Sequence, residues 1–264
     1  MSKTWYNLTT AQNSVSIDIL DEIGVWGINA SQFINEIKEA GDVSDINIAI
    51  NSPGGSVFDG LAIYNYLKSH KAQVNVEVLG LAASAASVIT MAGDTIRMPE
   101  DAFLMIHAPY TGVQGDAEEM RKTADVLDKI QESLVNIYVE RTGMEYSAVA
   151  EMVEEETWLN GVTAMELGFA DEVTDQAIAA LAKGFEKNFK SVPQALTGKK
   201  IDISNISTIR DFEKVLRDSG LSRKDATALA SKKVDIQRDI ESKPEVDISA
   251  FNSLLDALAS SQLK

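Results

Sequence analysis

A serine among small residues, a histidine closing an apolar run and an aspartate at a strand boundary are the side chains that acyl transfer needs. They occur here as Ser84 in GLAASAAS, His107 in FLMIHAP and Asp171 in GFADEV. A serine hydroxyl is a weak nucleophile and requires a neighbouring base. The base in turn requires a carboxylate that fixes its tautomer and stabilises its charged form. The chain order Ser, His, Asp is compatible, because such constellations are defined by geometry and not by order. The other histidine, His70, lies between Ser69 and Lys71 at the end of a helical pattern, where a cationic side chain suits the helix C-terminus. Taken singly, each feature also has a plain structural reading. Small residues around Ser84 and Ser87 allow close helix packing, His107 can be a packed or surface histidine, and acidic residues are too numerous for position alone to select Asp171.

The elements that must position these residues are written in hydrophobic periodicity. SVSIDI (14–19) alternates as a strand. ASQFINEIKEA (30–40) places Phe33, Ile34 and Ile37 on one helical face, with Gly41 just past its end. DINIAI (45–50) reads as a strand, NSPGGS as a tight turn, VFDGLAIYNYLKSH as a helix and QVNVEVLG as a further strand. The turn glycines permit positive φ and can direct backbone N–H groups into an open site as half of an oxyanion hole; an ordinary strand-to-helix turn has the same chemistry. AASAASVITMAG reads as a buried helix that follows a strand-to-helix junction at Ser84, and TIRM and FLMIH as short strands. Residues 116–142 form a long helical pattern ended by Gly143, SAVAEMVEEE a second helix with Ser147 as candidate N-cap, and the stretch after it a short helix from Thr163 and a strand at Asp171. Strands alternating with helices predict an α/β fold with a largely parallel sheet.

Composition narrows the function classes. The 264 residues are 45% apolar and 24% charged, which is ordinary for a globular chain. There is no cysteine, so disulfides, thiolate metal sites and cysteine nucleophiles are excluded, and two histidines leave little for a histidine-rich metal site. No cofactor and no metal are expected. The N-terminal MSKTWYNLTT lacks the apolar run of a signal peptide, and no stretch approaches the roughly 20 apolar residues of a membrane span. The expected location is the cytoplasm. Net charge is −16, with nine basic against 28 acidic side chains up to residue 180 and 15 against 12 beyond it. The acidic part repels nucleic-acid phosphates, so nucleic acid and membrane are not expected partners. The change of sign, followed by Pro193 and Gly198 in a polar stretch, divides the chain into a domain over 1–180, a linker over 181–205 and a helical extension over 206–264. The two short amphipathic patterns of the extension start at the candidate caps Thr208 and Ser222. None of the candidate catalytic side chains lies beyond residue 180, so the tail is expected to position the domain and not to take part in chemistry.

Four motifs in fixed order, INSPGGSV, GLAASAASVITMAGD, MPEDAFLMIHAP and WLNGVTAMELGFADEV, resemble the proteolytic subunit of Clp protease over residues 14–175. They are closer still to the Clp-like head-maturation proteases of tailed bacteriophages, which STIRDFEKVLRDSGLSRKDATALAS in the tail also resembles. The resemblance implies a fold of repeated ββα units of the Clp and crotonase type, with a protruding handle helix at 116–142 and a small α-helical tail. It implies a serine endopeptidase with Ser84 as nucleophile, His107 as base, Asp171 as third member, and the amides of Gly55 and Ala85 as the oxyanion hole. It further implies a homo-oligomeric ring whose substrates are phage scaffold and capsid proteins, in the host cytoplasm or inside the assembling capsid. The alternatives are a cellular Clp subunit working with an ATP-driven unfoldase, a non-catalytic Clp-fold assembly protein, and a crotonase-like enzyme acting on an acyl-coenzyme A. The intact Ser84, His107 and Asp171 argue against the non-catalytic protein, and the serine–histidine pair against the crotonase-like enzyme.

Overall fold

The structure, a computed structural model, describes residues 4–25, 27–174, 189–190 and 192–193, together with Glu213 and Thr227. The chain divides into two compact units. One comprises Met1–Ile201 with Asp218–Gly220, and the other Asp202–Arg217 with Leu221–Lys264. In the second unit the Thr227 hydroxyl donates to Glu213 Oε1 at 2.9 Å. Apart from these two residues and from Phe189, Lys190, Val192 and Pro193, the expected linker and tail helices lie outside the described residues.

The first unit is α/β. Its strands are β1 (Tyr6–Ala11), β2 (Ser14–Ile19), β3 (Asp45–Ser52), β4 (Gln73–Ala83), β5 (Thr95–Pro99), β6 (Phe103–Ile106), β7 (Thr157–Asn160) and β8 (Glu172–Thr174). Its helices are α1 (Ala30–Glu39), α2 (Val57–Ser69), α3 (Ala85–Thr90), α4 (Ala117–Thr142), α5 (Tyr146–Glu154) and α6 (Gly161–Glu166). The sheet order is β1-β2-β3-β4-β5-β8, with β6 paired to both β4 and β7. The β1–β2 hairpin and the β6–β7 pair are antiparallel, and every other ladder is parallel. Parallel strands covered by helices should read as apolar at alternate positions or better. Ile46, Ile48 and Ile50 of β3 and Val74, Val76 and Val78 of β4 are accordingly buried. Phe33 and Ile37 of α1, Ile63 and Leu67 of α2, and Val149 and Val153 of α5 join them in one core. Trp5 stacks on Phe33 at 5.7 Å and donates its indole N–H to the Ile28 carbonyl at 2.9 Å, which anchors the N-terminal hairpin.

Strand β4 positions the rest. Its first half pairs with β5 through Asn75–Glu77, and its second half pairs with β6 through Leu81–Ala83. On its other side the register with β3 jumps between Ile50↔Val78 and Ser52↔Ala82, a bulge in β4. The Asn51 side chain accepts the Leu81 N–H at 3.1 Å within that bulge. Bulges re-aim the end of the strand that carries them, and the end of this strand delivers Ser84.

The sequence pattern located α1, α2, β3 and the long α4 closely. The structure differs at three places that matter. β4 runs to Ala83, so the small-residue run is half strand, and α3 begins only at Ala85. TWLN is a strand, β7. Helix α5 begins after Glu145, whose side chain makes no cap bond, and not after Ser147. Helix α4 is set by a full capping box between Asp116 and Glu119 and stops at Gly143, φ 69°. Its C-terminal half is buried through Leu134, Val135, Ile137 and Tyr138, while Met120 and Val126 in its N-terminal half are exposed. No helix among the described residues is long and apolar enough to cross a membrane.

The chain turns from β7 into α6 at Gly161, whose amide donates to Glu100 O at 3.1 Å. A Cβ at this position would fall against the Pro99 carbonyl oxygen, so backbone packs directly on backbone. Gly161→Ala is therefore expected to destabilise the fold by about 1–3 kcal/mol, the range for overpacking a tight contact. A lowered urea midpoint at unchanged slope checks it; an unchanged midpoint would show that β7 is not pinned here.

Candidate active site

Ser84 leaves the end of β4 with φ 55° and ψ −124° and serves as the N-cap of α3 without making a side-chain cap bond. Its amide donates to Met105 O at 2.9 Å, which continues the β4–β6 ladder by one residue. His107 comes directly after the end of β6. Two adjacent strand ends therefore bring the two side chains together, and Ser84 Oγ lies 2.8 Å from His107 Nε2. Ser87, one turn on, is fully buried and committed: its hydroxyl donates to Ser84 O at 2.6 Å and lies 2.8 Å from the Tyr138 hydroxyl. Ser56 is likewise occupied as the N-cap of α2, accepting from the Asp59 amide at 3.3 Å. His70 caps α2 and accepts the Ala72 N–H through Nδ1 at 3.1 Å, away from this cluster.

Asp171 is not part of the cluster. Its Oδ2 accepts from Arg141 Nη2 at 2.6 Å and from the Ile96 amide at 2.6 Å. Ladder pairing sets Asp171 beside Ile96 and Ile96 beside Val76. Val76 is eight residues upstream of Ser84 on β4, two of them taken up by the bulge, which leaves about 20 Å at ~3.3 Å per residue. The expectation that Asp171 orients the base is corrected: it ties α4 to the β5–β8 edge. The Arg141 side chain, 16% exposed, also donates to Gly93 O at 3.2 Å, so the pair is structural.

The carboxylate that faces His107 is Glu156. In the antiparallel β6–β7 register Ile106 lies opposite Thr157, so the next residue on β6, His107, meets the preceding residue on β7, Glu156. Glu156 is only 9% exposed. Its Oε1 accepts from Trp158 Nε1 at 3.4 Å and its Oε2 from the Lys190 amide at 2.8 Å. Ser84 and Glu156 are, among the described residues, the two non-glycine residues with positive φ, each at 55°. Such conformations cost on the order of 1–3 kcal/mol and persist where surroundings over-determine them, often at functional sites. Here both flank one histidine. Glu156 was missed in the sequence because it ends the acidic run EMVEEE and reads as the last residue of a helix. Only the pairing of TWLN with FLMI reveals it, and four residues carry no strand pattern of their own.

Burial holds the His107 imidazole below its ordinary value of 6.5; the Glu156 carboxylate opposes this and the Lys190 ammonium adds to it. His107 is therefore neutral and able to accept a proton at neutral pH. Gly54 (φ 93°) and Gly55 (φ 144°) pass close to the serine, and a Cβ on Gly54 would lie 2.7 Å from Ser84 Cβ and 2.9 Å from Ala85 N. The neighbours of Gly55 are tied to Ile23, in the segment that follows β2: Ile23 N–H donates to Gly54 O at 2.7 Å and Ser56 N–H to Ile23 O at 3.0 Å. In a parallel bridge this leaves the Gly55 amide pointing the other way. Gly55 and Ala85 line one cavity of about 460 Å³ with Ser84 and His107. Its further wall is apolar, from Val88, Leu127, Ile130 and Leu134. Phe189, from the stretch expected as linker, also lines it and meets the His107 ring edge-on at 5.8 Å.

The family model described as Clp protease matches residues 29–177. Two relatives, each named ATP-dependent Clp protease proteolytic subunit and each from a strain of Bacteroides fragilis, are 36% identical over 132 residues. The match covers 49% of this chain and 63% and 60% of the two relatives, so the chain spans less than two thirds of their length. The sign of each charge on His107 gives a direct expectation. Its imidazole should titrate below 6.5, and Glu156→Gln should lower the midpoint further, because the carboxylate favours the imidazolium. Ring-proton chemical shifts against pH read both; a midpoint above 6.5, or a rise in Glu156→Gln, would remove Glu156 from the base.

Proposed function

The chain belongs to the Clp protease family, and from that premise we propose that it is a serine endopeptidase with Ser84 as nucleophile, His107 as base and Glu156 as the carboxylate behind the base. The observation that carries this reading is the 2.8 Å approach of Ser84 Oγ to His107 Nε2 at a strained turn facing a cavity. With its proton on Nδ1, His107 accepts the Ser84 proton at Nε2 as Oγ attacks the substrate carbonyl. The amides of Gly55 and Ala85 supply donors for the resulting oxyanion. His107 then gives that proton to the leaving amine, and water, deprotonated by the same nitrogen, hydrolyses the acyl-enzyme. Glu156 stabilises the imidazolium in both halves. The apolar wall at Val88, Leu127, Ile130 and Leu134 suits an apolar side chain next to the scissile bond.

The substrates we propose are phage scaffold and capsid proteins cleaved during prohead maturation, with a homo-oligomeric ring as the working form. The exposed Met120 and Val126 on α4 support self-association through that helix, the proposed handle. The tail motif STIRDFEKVLRDSG supports the phage assignment. A second reading, a cellular subunit fed by an ATP-driven unfoldase, is supported by the ATP-dependent name of the Bacteroides relatives.

A serine-directed fluorophosphonate is expected to label Ser84 and not Ser56 or Ser87, as read by peptide mass spectrometry. Ser84→Ala should lose labelling and at least ~10⁴-fold in rate. In co-expression with scaffold and capsid proteins, the intact chain should process them and Ser84→Ala should not. Labelling at Ser87 with Ser84 unmodified would overturn the nucleophile. Processing that strictly requires an added unfoldase would favour the second reading.

A further inference from the structure

Beyond β8 the chain returns to the site. Phe189 sits at the junction of two surfaces. On one side its ring meets His107 edge-on at 5.8 Å and lines the cavity. On the other it meets the Trp158 indole edge-on at 5.6 Å and packs, with Val192, against a separate small core of Leu81, Ala83 and Met105. The next residue, Lys190, donates its backbone N–H to Glu156 Oε2 at 2.8 Å. One short segment thus covers the imidazole and holds the carboxylate behind it.

We propose that Phe189 and Lys190, with Val192 behind them, are a built-in wall of the active site, in which Phe189 keeps water from the His107–Glu156 pair and the Lys190 amide positions the Glu156 carboxylate. This rests on the reading of Ser84, His107 and Glu156 given above and goes beyond it. It also departs from the expectation that no residue past 180 bears on the chemistry.

Three observations distinguish a wall from a plug. Phe189 is anchored in a core of its own with Leu81, Ala83, Met105 and Trp158, so its ring does not fill the acyl cavity. The cavity keeps about 460 Å³ with the ring at its rim. The Lys190 bond goes to the acid and leaves the serine hydroxyl free to meet His107. A carboxylate held by a fixed amide cannot swing into solvent, and small misplacements of reacting groups are costly in rate. Burial is the largest influence on His107, and part of that burial is the Phe189 ring. The polar and charged groups around the imidazole are Ser84, Glu156, Lys190 and the exposed Tyr110, whose ring lies 5.8 Å away. Phe189 is the cover on the side of Glu156 and Trp158.

The test uses the full chain and hydrolysis of a small peptide ester across pH. Phe189→Ala should move the acid limb of kcat/KM up toward 6.5 and lower kcat on the order of 10-fold or more with a smaller change in KM. Phe189→Leu, which restores apolar cover, should return both toward the parent values. Lys190→Pro, which deletes the amide donor, should lower kcat on the order of 10-fold, whereas Lys190→Ala, which keeps it, should stay within about 3-fold, its limb moving slightly up. An unchanged limb and kcat in Phe189→Ala and Lys190→Pro would overturn the proposal, as would a rise of kcat in Phe189→Ala, which would make the segment a plug. Fluorophosphonate labelling of Ser84 in the parent chain separates the two levels. Labelled Ser84 with unaffected variants refutes the wall alone; unlabelled Ser84 refutes the peptidase reading itself.

Discussion

Strand β6 is held on both sides, by β4 in parallel and by β7 in antiparallel register, and the site depends on this double pairing. Ala83↔Met105 on one side and Ile106↔Thr157 on the other leave Ser84, His107 and Glu156 as the first residues beyond three adjacent strand ends. Strands lie about 4.8 Å apart, so neighbouring ends place side chains within hydrogen-bond reach without a long loop. A slip of one residue in either ladder would turn a side chain to the other face. Register is protected here by burial of Leu81, Leu104, Met105, Ile106 and Leu159.

The same arrangement explains how two strained residues persist. Ser84 and Glu156 both hold positive φ, at a cost that an isolated turn would relieve. Ser84 is fixed by its amide bond to Met105 O and by the Ser87 hydroxyl and amide on its carbonyl. Glu156 is fixed by Trp158, by the Lys190 amide and by the ladder that starts one residue later. The sharp turn at Ser84 keeps Oγ out of the helix-capping role that an N-cap serine usually takes, and so leaves it to His107.

Much of this was legible in the sequence and some was not, for physical reasons. Helix α1 and strands β3 and β4 carry strong periodicity because each buries one face or two. Ser84 and His107 stood out because they end runs of small and apolar residues. Strands β1 and β7 were invisible. YNLTTA is mostly exposed, and TWLN is only four residues long, so neither has a pattern of its own and both exist through their partners. Asp171 was chosen by its motif, yet position at a strand boundary is equally what a structural carboxylate needs, and Arg141 uses it. Glu156 could be found only through the β6–β7 pairing, a long-range contact. The same holds for Phe189, which lies in a polar stretch that reads as linker.

The acid behind the base is where motif and geometry part, and the central claim is that geometry decides. Glu156 shares a ladder end with His107, while Asp171 is committed to Arg141 and Ile96 on the far part of the sheet. The direct measurement is kcat/KM on one activated peptide ester for Glu156→Gln and Asp171→Asn, side by side with the parent and with unfolding midpoints recorded for each. The account predicts a loss on the order of 10²–10⁴ for Glu156→Gln in a stably folded protein, and a rate within a few-fold of the parent for Asp171→Asn with a lowered midpoint. A large loss of rate in folded Asp171→Asn, with Glu156→Gln near the parent rate, would contradict it.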